Sequence, residues 1–284
     1  DEEDILHLDV QSAGVSYLDY SLKGIRLRDR SRGNGLQLSV DELATGGRRF
    51  SDLSLRTLKR MDSLTLELQG TLMDTTEARF QLAANLLRTA DTTFKVHWLP
   101  SKLIYGAYQL NVPQSGWLKV EPNQIEVHEL EMHSDKGRLF ADGFVSKSPM
   151  QVLRLNFEGF ELGFLNPILE QYDTEVFARV SGQVIMSELL AKPKYGIGLR
   201  TEQTLINDFA LGDLDLYSDW SLYSGVVNLS GKIEQEGVRK LDLTGQFVPD
   251  SLYSDMQLQL DRFDLNVLQP YMQGVVTQLR GACS

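Results

Sequence analysis

The sequence predicts an all-β, mostly antiparallel architecture with one apolar sheet face, assembled from pseudo-repeats. Three observations lead there. Hydrophobic residues recur with a period of two, clusters of Gly, Ser, Asn and Asp interrupt the runs, and one irregular motif occurs twice. Alternating side chains stand on opposite faces of a strand, so such a run gives the sheet one apolar and one wet face. This is the usual signature of antiparallel sheets with one face in water.

Taken in chain order, Leu6, Leu8 and Val10 alternate with His7, Asp9 and Gln11. Leu36, Leu38 and Val40 alternate with Gln37, Ser39 and Asp41, and Leu64, Leu66 and Leu68 with Thr65, Glu67 and Gln69. The pattern returns at Leu214 and Leu216, Val227 and Leu229, and Leu241 and Leu243. Turn chemistry separates the runs, as at Arg32-Gly33-Asn34-Gly35 and Ala44-Thr45-Gly46-Gly47. Residues 76–89 fit two periods. Phe80, Ala83, Ala84 and Leu87 suit a helical face, whereas Ala78, Phe80, Leu82 and Ala84 suit a strand. A strand is expected, because the neighbours are strands. Asn166-Pro167 suits the N-cap and first position of a short helix through Glu170 and Gln171.

The internal repeat is the most informative feature. Leu153, Leu155, Phe157, Phe160, Leu162, Phe164, Leu165 and Pro167 match Met256, Leu258, Leu260, Phe263, Leu265, Val267, Leu268 and Pro270. The offset from Phe160 to Phe263, 103 residues, holds for every pair. Both copies change parity at the same place, before Phe160 and before Phe263. Such a change sends side chains to the other face unless the chain bulges or turns. Val180-Ser181-Gly182 and Leu279-Arg280-Gly281 are expected to close the two copies as turns. The second copy stops inside its repeat, so the sequence is expected to be part of a longer chain.

Composition narrows the function classes. A formal net charge of -11 disfavours a phosphate-backbone partner, so no nucleic-acid role is expected. The single cysteine, Cys283, has no second thiol for an internal disulfide or a metal knuckle. The start, Asp1-Glu2-Glu3-Asp4, is the opposite of a basic signal-peptide start, and no apolar run is long enough to span a membrane as a helix.

Catalytic signatures are lacking: there is no nucleophile elbow, Walker loop or dinucleotide fingerprint. His128 and His133 flank Glu129 and Glu131, but the zinc-protease helix needs histidines four apart. Exposed strand histidines are the expectation. Asp208, Asp213, Asp215 and Asp219 lack calcium-loop spacing and read as a solvated strand face. Lys23, Arg26, Arg28, Arg30 and Arg32 form the one basic cluster, expected to be ordinary solvent-facing charge. Trp98, Trp117 and Trp220 read as core or sheet-edge residues. No enzyme activity, cofactor or metal is expected. A transmembrane barrel is disfavoured, because only 9% of residues are aromatic and no strand-end girdle is visible.

Several of these segments carry a family resemblance. Phe160-Glu-Leu-Gly-Phe-Leu-Asn-Pro-Ile-Leu169 and Phe263-Asp-Leu-Asn-Val-Leu-Gln-Pro-Tyr-Met272 resemble the recurring F-x-L-x-x-L-x-P element of TamB-type proteins. These are the translocation-and-assembly-module family of the AsmA-like group. Leu205-Ile-Asn-Asp-Phe-Ala-Leu-Gly-Asp-Leu214 resembles their I-N-D-x-x-L-G-D-L turn. Ile125-Glu-Val-His-Glu-Leu130 and Gly137-Arg-Leu-Phe-Ala-Asp-Gly-Phe144 look like the strand pair before it. The resemblance is clearest over 115–284, and 1–114 follows it only in style.

The resemblance implies an elongated, β-taco or solenoid-like trough with an apolar inner face, in the periplasm of a Gram-negative bacterium. The full-length protein would be anchored in the inner membrane. It implies phospholipid or apolar segments of outer-membrane proteins as cargo, and a BamA-like outer-membrane barrel as partner. The candidate groove residues are Leu153, Leu155, Phe157, Met256, Leu258 and Leu260. The alternative is a non-catalytic β-solenoid acting as a binding or adhesive scaffold.

Overall fold

The structure is a computed structural model and describes residues 8–30, 35–73, 77–169, 173–207, 209–220, 225–249, 253–264 and 282–283. It is all-β and antiparallel, as the alternation predicts. The chain divides into two compact units, Asp1–Asp135 and Lys136–Ser284.

The first unit is a meander of ten strands: β1 (Asp9–Tyr17), β2 (Tyr20–Arg30), β3 (Gly35–Thr45), β4 (Arg48–Arg60), β5 (Ser63–Met73), β6 (Glu77–Ala90), β7 (Thr93–Tyr105), β8 (Tyr108–Val112), β9 (Trp117–Glu121) and β10 (Gln124–His133). Each strand from β1 to β7 pairs with the next. β8 and β9 share β7 as a partner, because the chain breaks between them at Pro113 to Gly116. Residues 76–89, which suited two periods, fall almost wholly within β6. Cross-strand partners on both sides satisfy its backbone. Gly46 and Gly47 form the β3–β4 turn with φ of 55° and 80°, the mirror-image geometry that hairpin twist demands.

The second unit holds β11 (Arg138–Ser146), β12 (Val152–Glu161), a 3₁₀ turn (Leu162–Leu165), a helical turn α1 (Asn166–Leu169), β13 (Val176–Ser187), β14 (Lys194–Ile206), β15 (Phe209–Trp220), β16 (Val227–Gln235), β17 (Val238–Val248) and β18 (Tyr253–Leu260). Sequential strands from β11 to β18 pair antiparallel. A short pair, β19 (Phe263–Asp264) with β20 (Ala282–Cys283), completes it.

The parity change before Phe160 is a register shift between Phe157 and Phe160, with Gly159 at φ 58°. In the second copy Arg262, at the same offset from Gly159, has φ 48°. Phe160 and Phe263, each following a left-handed residue, are buried at 6% and 5% exposure. Leu265, Val267, Leu268 and Pro270 lie outside the described residues, as do Leu6, His7, Arg32 to Asn34, Glu170, Gln171, Asp208 and Leu279 to Gly281.

Two expectations need correction. Val180-Ser181-Gly182 is no turn. It lies in the middle of β13, where Gly182 at φ 126° lets the backbone approach the Gly198 carbonyl closely. Asn166 is not an N-cap, since its own backbone is helical at φ -55° and ψ -39°. Its buried side-chain oxygen instead accepts the Val176 N–H at 2.8 Å, tying the helical insert to the start of β13.

Few apolar residues are sealed from solvent. Among the described residues they are Val40, Leu72, Leu110, Val112 and Val127 in the first unit. In the second they are Ala141, Phe160, Val180, Leu211, Ile233 and Phe263. Closed two-layer packing seals its apolar face; here most of that face stays partly accessible.

Candidate functional site

Cross-strand partners place residues in rows, and the rows sort by chemistry. In the second unit one row runs Leu139, Phe157, Gly182, Leu199, Leu216, Gly231, Leu243, Leu258 across all eight strands from β11 to β18. A second, on the same face, runs Ala141, Leu155, Val184, Ile197, Ser218, Leu229, Gly245, Met256. Alternation maintained strand after strand therefore yields a continuous apolar surface. Where a glycine leaves a dent, a neighbour leans over it. A Cβ on Gly231 would meet the Leu216 side chain at 3.6 Å, and one on Gly245 the Met256 sulfur at 2.7 Å.

A third row forms one margin of this face: Phe160, Val180, Thr201, Leu214, Ile233, Leu241, Leu260. It is the best-sealed row, with Val180 only 2% exposed. At one end the helical insert covers it, with the Phe160 ring 6.2 Å from both Phe157 and Phe164. At the other, Phe263 packs with Leu211 and Ile233 against Leu214, Leu241 and Leu260. Asn207 secures the insert's far side. It accepts the Glu175 N–H at 2.8 Å and returns its own N–H to the Glu175 carbonyl. This is the turn of the segment Leu205 to Leu214, with Ile206 opposite Phe209.

The candidate groove residues all lie in or beside these rows. Leu153, Leu155 and Phe157 are half-buried, with Leu153 opposite Met186. Arg154 is exposed, whereas Asn156 is half-buried and takes a hydrogen bond from Gln183 at 2.8 Å. Leu260 is half-buried and Gln257 and Gln259 are exposed. Met256 and Leu258, the other candidate groove residues, are 40% and 53% exposed. They stand on the apolar face, but that face is uncovered there.

The opposite face is an ion-pair lattice. Ser181, Arg200, Asp215, Lys232, Asp242 and Gln259 form one row. Lys232 bonds Asp215 at 2.9 Å, and Arg200 lies 3.9 Å from both Asp213 and Asp215. The Asp215 hydrogen bond raises the Lys232 pKa above its ordinary value. The aspartates are thus spent on strand-to-strand pairing, and Asp219 is exposed.

In the first unit the apolar face carries the row Val10, Leu27, Leu38, Leu55, Leu68, Leu82. A second row is Leu64, Leu86, Val96, Leu118, Val127. The basic cluster meets acids across strands: Lys23 with Glu42 at 2.8 Å, Arg26 with Asp41, and Arg28 with Asp9 at 3.6 Å. His128 stacks near Trp117, with ring centroids 4.8 Å apart, and Lys95 sits 3.9 Å over the same indole. His133 bonds Glu131 at 2.9 Å. Trp98 and Trp220 each bury an indole N–H without a partner among the described residues. Among the described residues no three His, Cys, Asp or Glu side chains converge as a metal site would require. No helix among them is long and apolar enough to cross a membrane.

Fold and face together define the class: an all-β, antiparallel sheet protein with an accessible apolar surface. No family model, curated protein or solved structure matches the chain.

Proposed function

We propose that this chain is a periplasmic segment of a TamB-like protein, offering an apolar path to phospholipid acyl chains between the two membranes of a Gram-negative envelope. The same surface would hold apolar segments of outer-membrane proteins on their way to a BamA-like barrel. The observation that carries this reading is the apolar face of the second unit. Two rows cross eight strands with no charged residue, and most of their side chains remain half-accessible. An exposed apolar surface of this extent is a cost that water imposes and a ligand relieves. A buried methylene is worth about 0.8 kcal/mol, so roughly a dozen of them hold a chain with on the order of 10 kcal/mol. Because every strand repeats the same face, that stabilisation persists along the path without a dedicated pocket. The motifs around Phe160, Phe263 and Asn207 support the family reading.

The test is mass spectrometry of an organic extract of the purified segment, beside uptake of labelled phospholipid from vesicles. Co-purifying phospholipid and saturable uptake are expected. A lipid-free extract together with no uptake would overturn the conduit and favour the scaffold alternative.

A further inference from the structure

We infer that one margin of the first unit's apolar face, at Lys59, Arg88 and Phe94, receives the headgroup of an anionic phospholipid; this rests on the groove reading above.

The registers place two cations on the wrong face for solvent-facing charge. Lys59 stands opposite Leu64, which stands opposite Leu86. Arg88 stands opposite Phe94, which continues to Val120 and Ile125. Both therefore belong to apolar rows, at the end where β4 turns into β5 and β6 into β7. Together with Met61 they line an open cavity of about 500 Å³ whose floor is Leu64, Leu86 and Phe94. A volume of that order suits a headgroup and the upper part of an acyl chain.

On the wet face of the second unit, Arg200 and Lys232 are occupied by Asp215. Lys59, by contrast, makes no ion pair among the described residues. Arg88 donates to the Ala90 and Asp91 carbonyls at 3.4 and 3.3 Å and pairs with the Asp91 carboxylate at 3.0 Å; that carboxylate is fully exposed, and a surface pair of this kind is exchanged at little cost. Met61, at the turn, is 95% exposed beside them. An apolar floor beneath a cationic margin is complementary to a molecule with an alkyl tail and a phosphate. Asp62 lines the same cavity and opposes the anion. Its removal should therefore strengthen binding.

The experiment compares uptake of two phospholipids with identical labelled acyl chains, phosphatidylglycerol and phosphatidylcholine, by the whole chain at low and moderate salt. Wild type is expected to favour the anionic lipid, and the preference should shrink as salt rises. Lys59→Glu and Arg88→Glu should each reduce phosphatidylglycerol uptake by roughly five-fold, with phosphatidylcholine uptake unchanged. Asp62→Asn should raise the preference. All three positions are exposed, so unchanged circular dichroism and melting are expected. Equal uptake of both lipids by wild type, or a preference that survives Lys59→Glu and Arg88→Glu together, would overturn the headgroup site while leaving the groove standing. Failure of wild type to take up either lipid would overturn both.

Discussion

Phe160 and Leu258 are both large apolar residues on the second unit's apolar face, yet one is 6% and the other 53% exposed. Truncation should separate them. Phe160→Ala empties a site packed by Phe157 and Phe164 and should cost about 3–5 kcal/mol. Leu258→Ala removes a side chain already half in water and should cost under about 1 kcal/mol. Urea unfolding of the two variants checks the contrast, and equal losses would mean that the face is covered in solution. Alternation made the shared face legible, because parity depends only on local backbone geometry. It did not reveal which positions are sealed, because that depends on the insert packed over Phe160 and on Phe263 over Ile233. Charged residues give a second residue-scale prediction. Hydrogen bonds from Arg138 and Lys23 hold Glu158 and Glu42 below the ordinary carboxylate value of 4.5. Burial, then Lys95, depresses His97 below 6.5. Bonds to Glu121 and Asp215 raise Lys119 and Lys232 above 10.5. A depressed group stabilises above its unfolded value and loses that contribution as pH falls through the folded one. A raised lysine stabilises below its unfolded value and loses the contribution as pH rises through the folded one. These groups therefore predict a plateau between 6.5 and 10.5 with shallow declines on both sides, measurable as the urea midpoint against pH. A midpoint that climbs on acidification below 6.5 would contradict the assignment.

At the scale of elements, the helical insert between β12 and β13 decides where the apolar face is closed. Its hold on the sheet runs through Asn166, 2% exposed, which satisfies the Val176 N–H. Asn166→Ala leaves that half-buried donor without its partner, an expected loss of about 1 kcal/mol. Hydrogen exchange should accelerate at Val176 while the amides of β16 and β17 keep their protection. Uniform acceleration would show instead that the insert is not a separable element. The parity change that precedes the insert was visible in the sequence, since a bulge must break the alternation wherever it falls. The role of Asn166 was not, because Asn before Pro is an ordinary capping signature. Only the 3₁₀ turn ahead of it, which starts the helical backbone at Leu162, reassigns the side chain. The stretch Val180 to Gly182 misled for a similar reason. Gly after a small polar residue suggests a turn, but Gly182 is required for the close approach of β14.

At the scale of the whole molecule, a lipid path and a closed core make opposite demands on one substitution. A closed core rejects a buried unpaired charge outright. On an open apolar face, a long charged side chain can carry its head to the margin while its stem lies on the sheet. Leu155, half-buried between Ala141 and Val184, offers the second situation, and Val180, at 2% exposure, the first. On the proposed function, Leu155→Arg should therefore leave abundance in the cell normal and abolish activity. Val180→Arg should remove the protein itself. The readouts are an abundance blot beside complementation of outer-membrane integrity, and photo-crosslinking from position 155 should capture lipid. Full activity of Leu155→Arg would sink the conduit and favour a scaffold, since a scaffold does not need that row to remain uncharged. Loss of Leu155→Arg from the blot would place position 155 in a closed core. The half-accessible row would then be an interface sealed in the cell by protein, and the crosslinks from it would identify that protein in place of lipid.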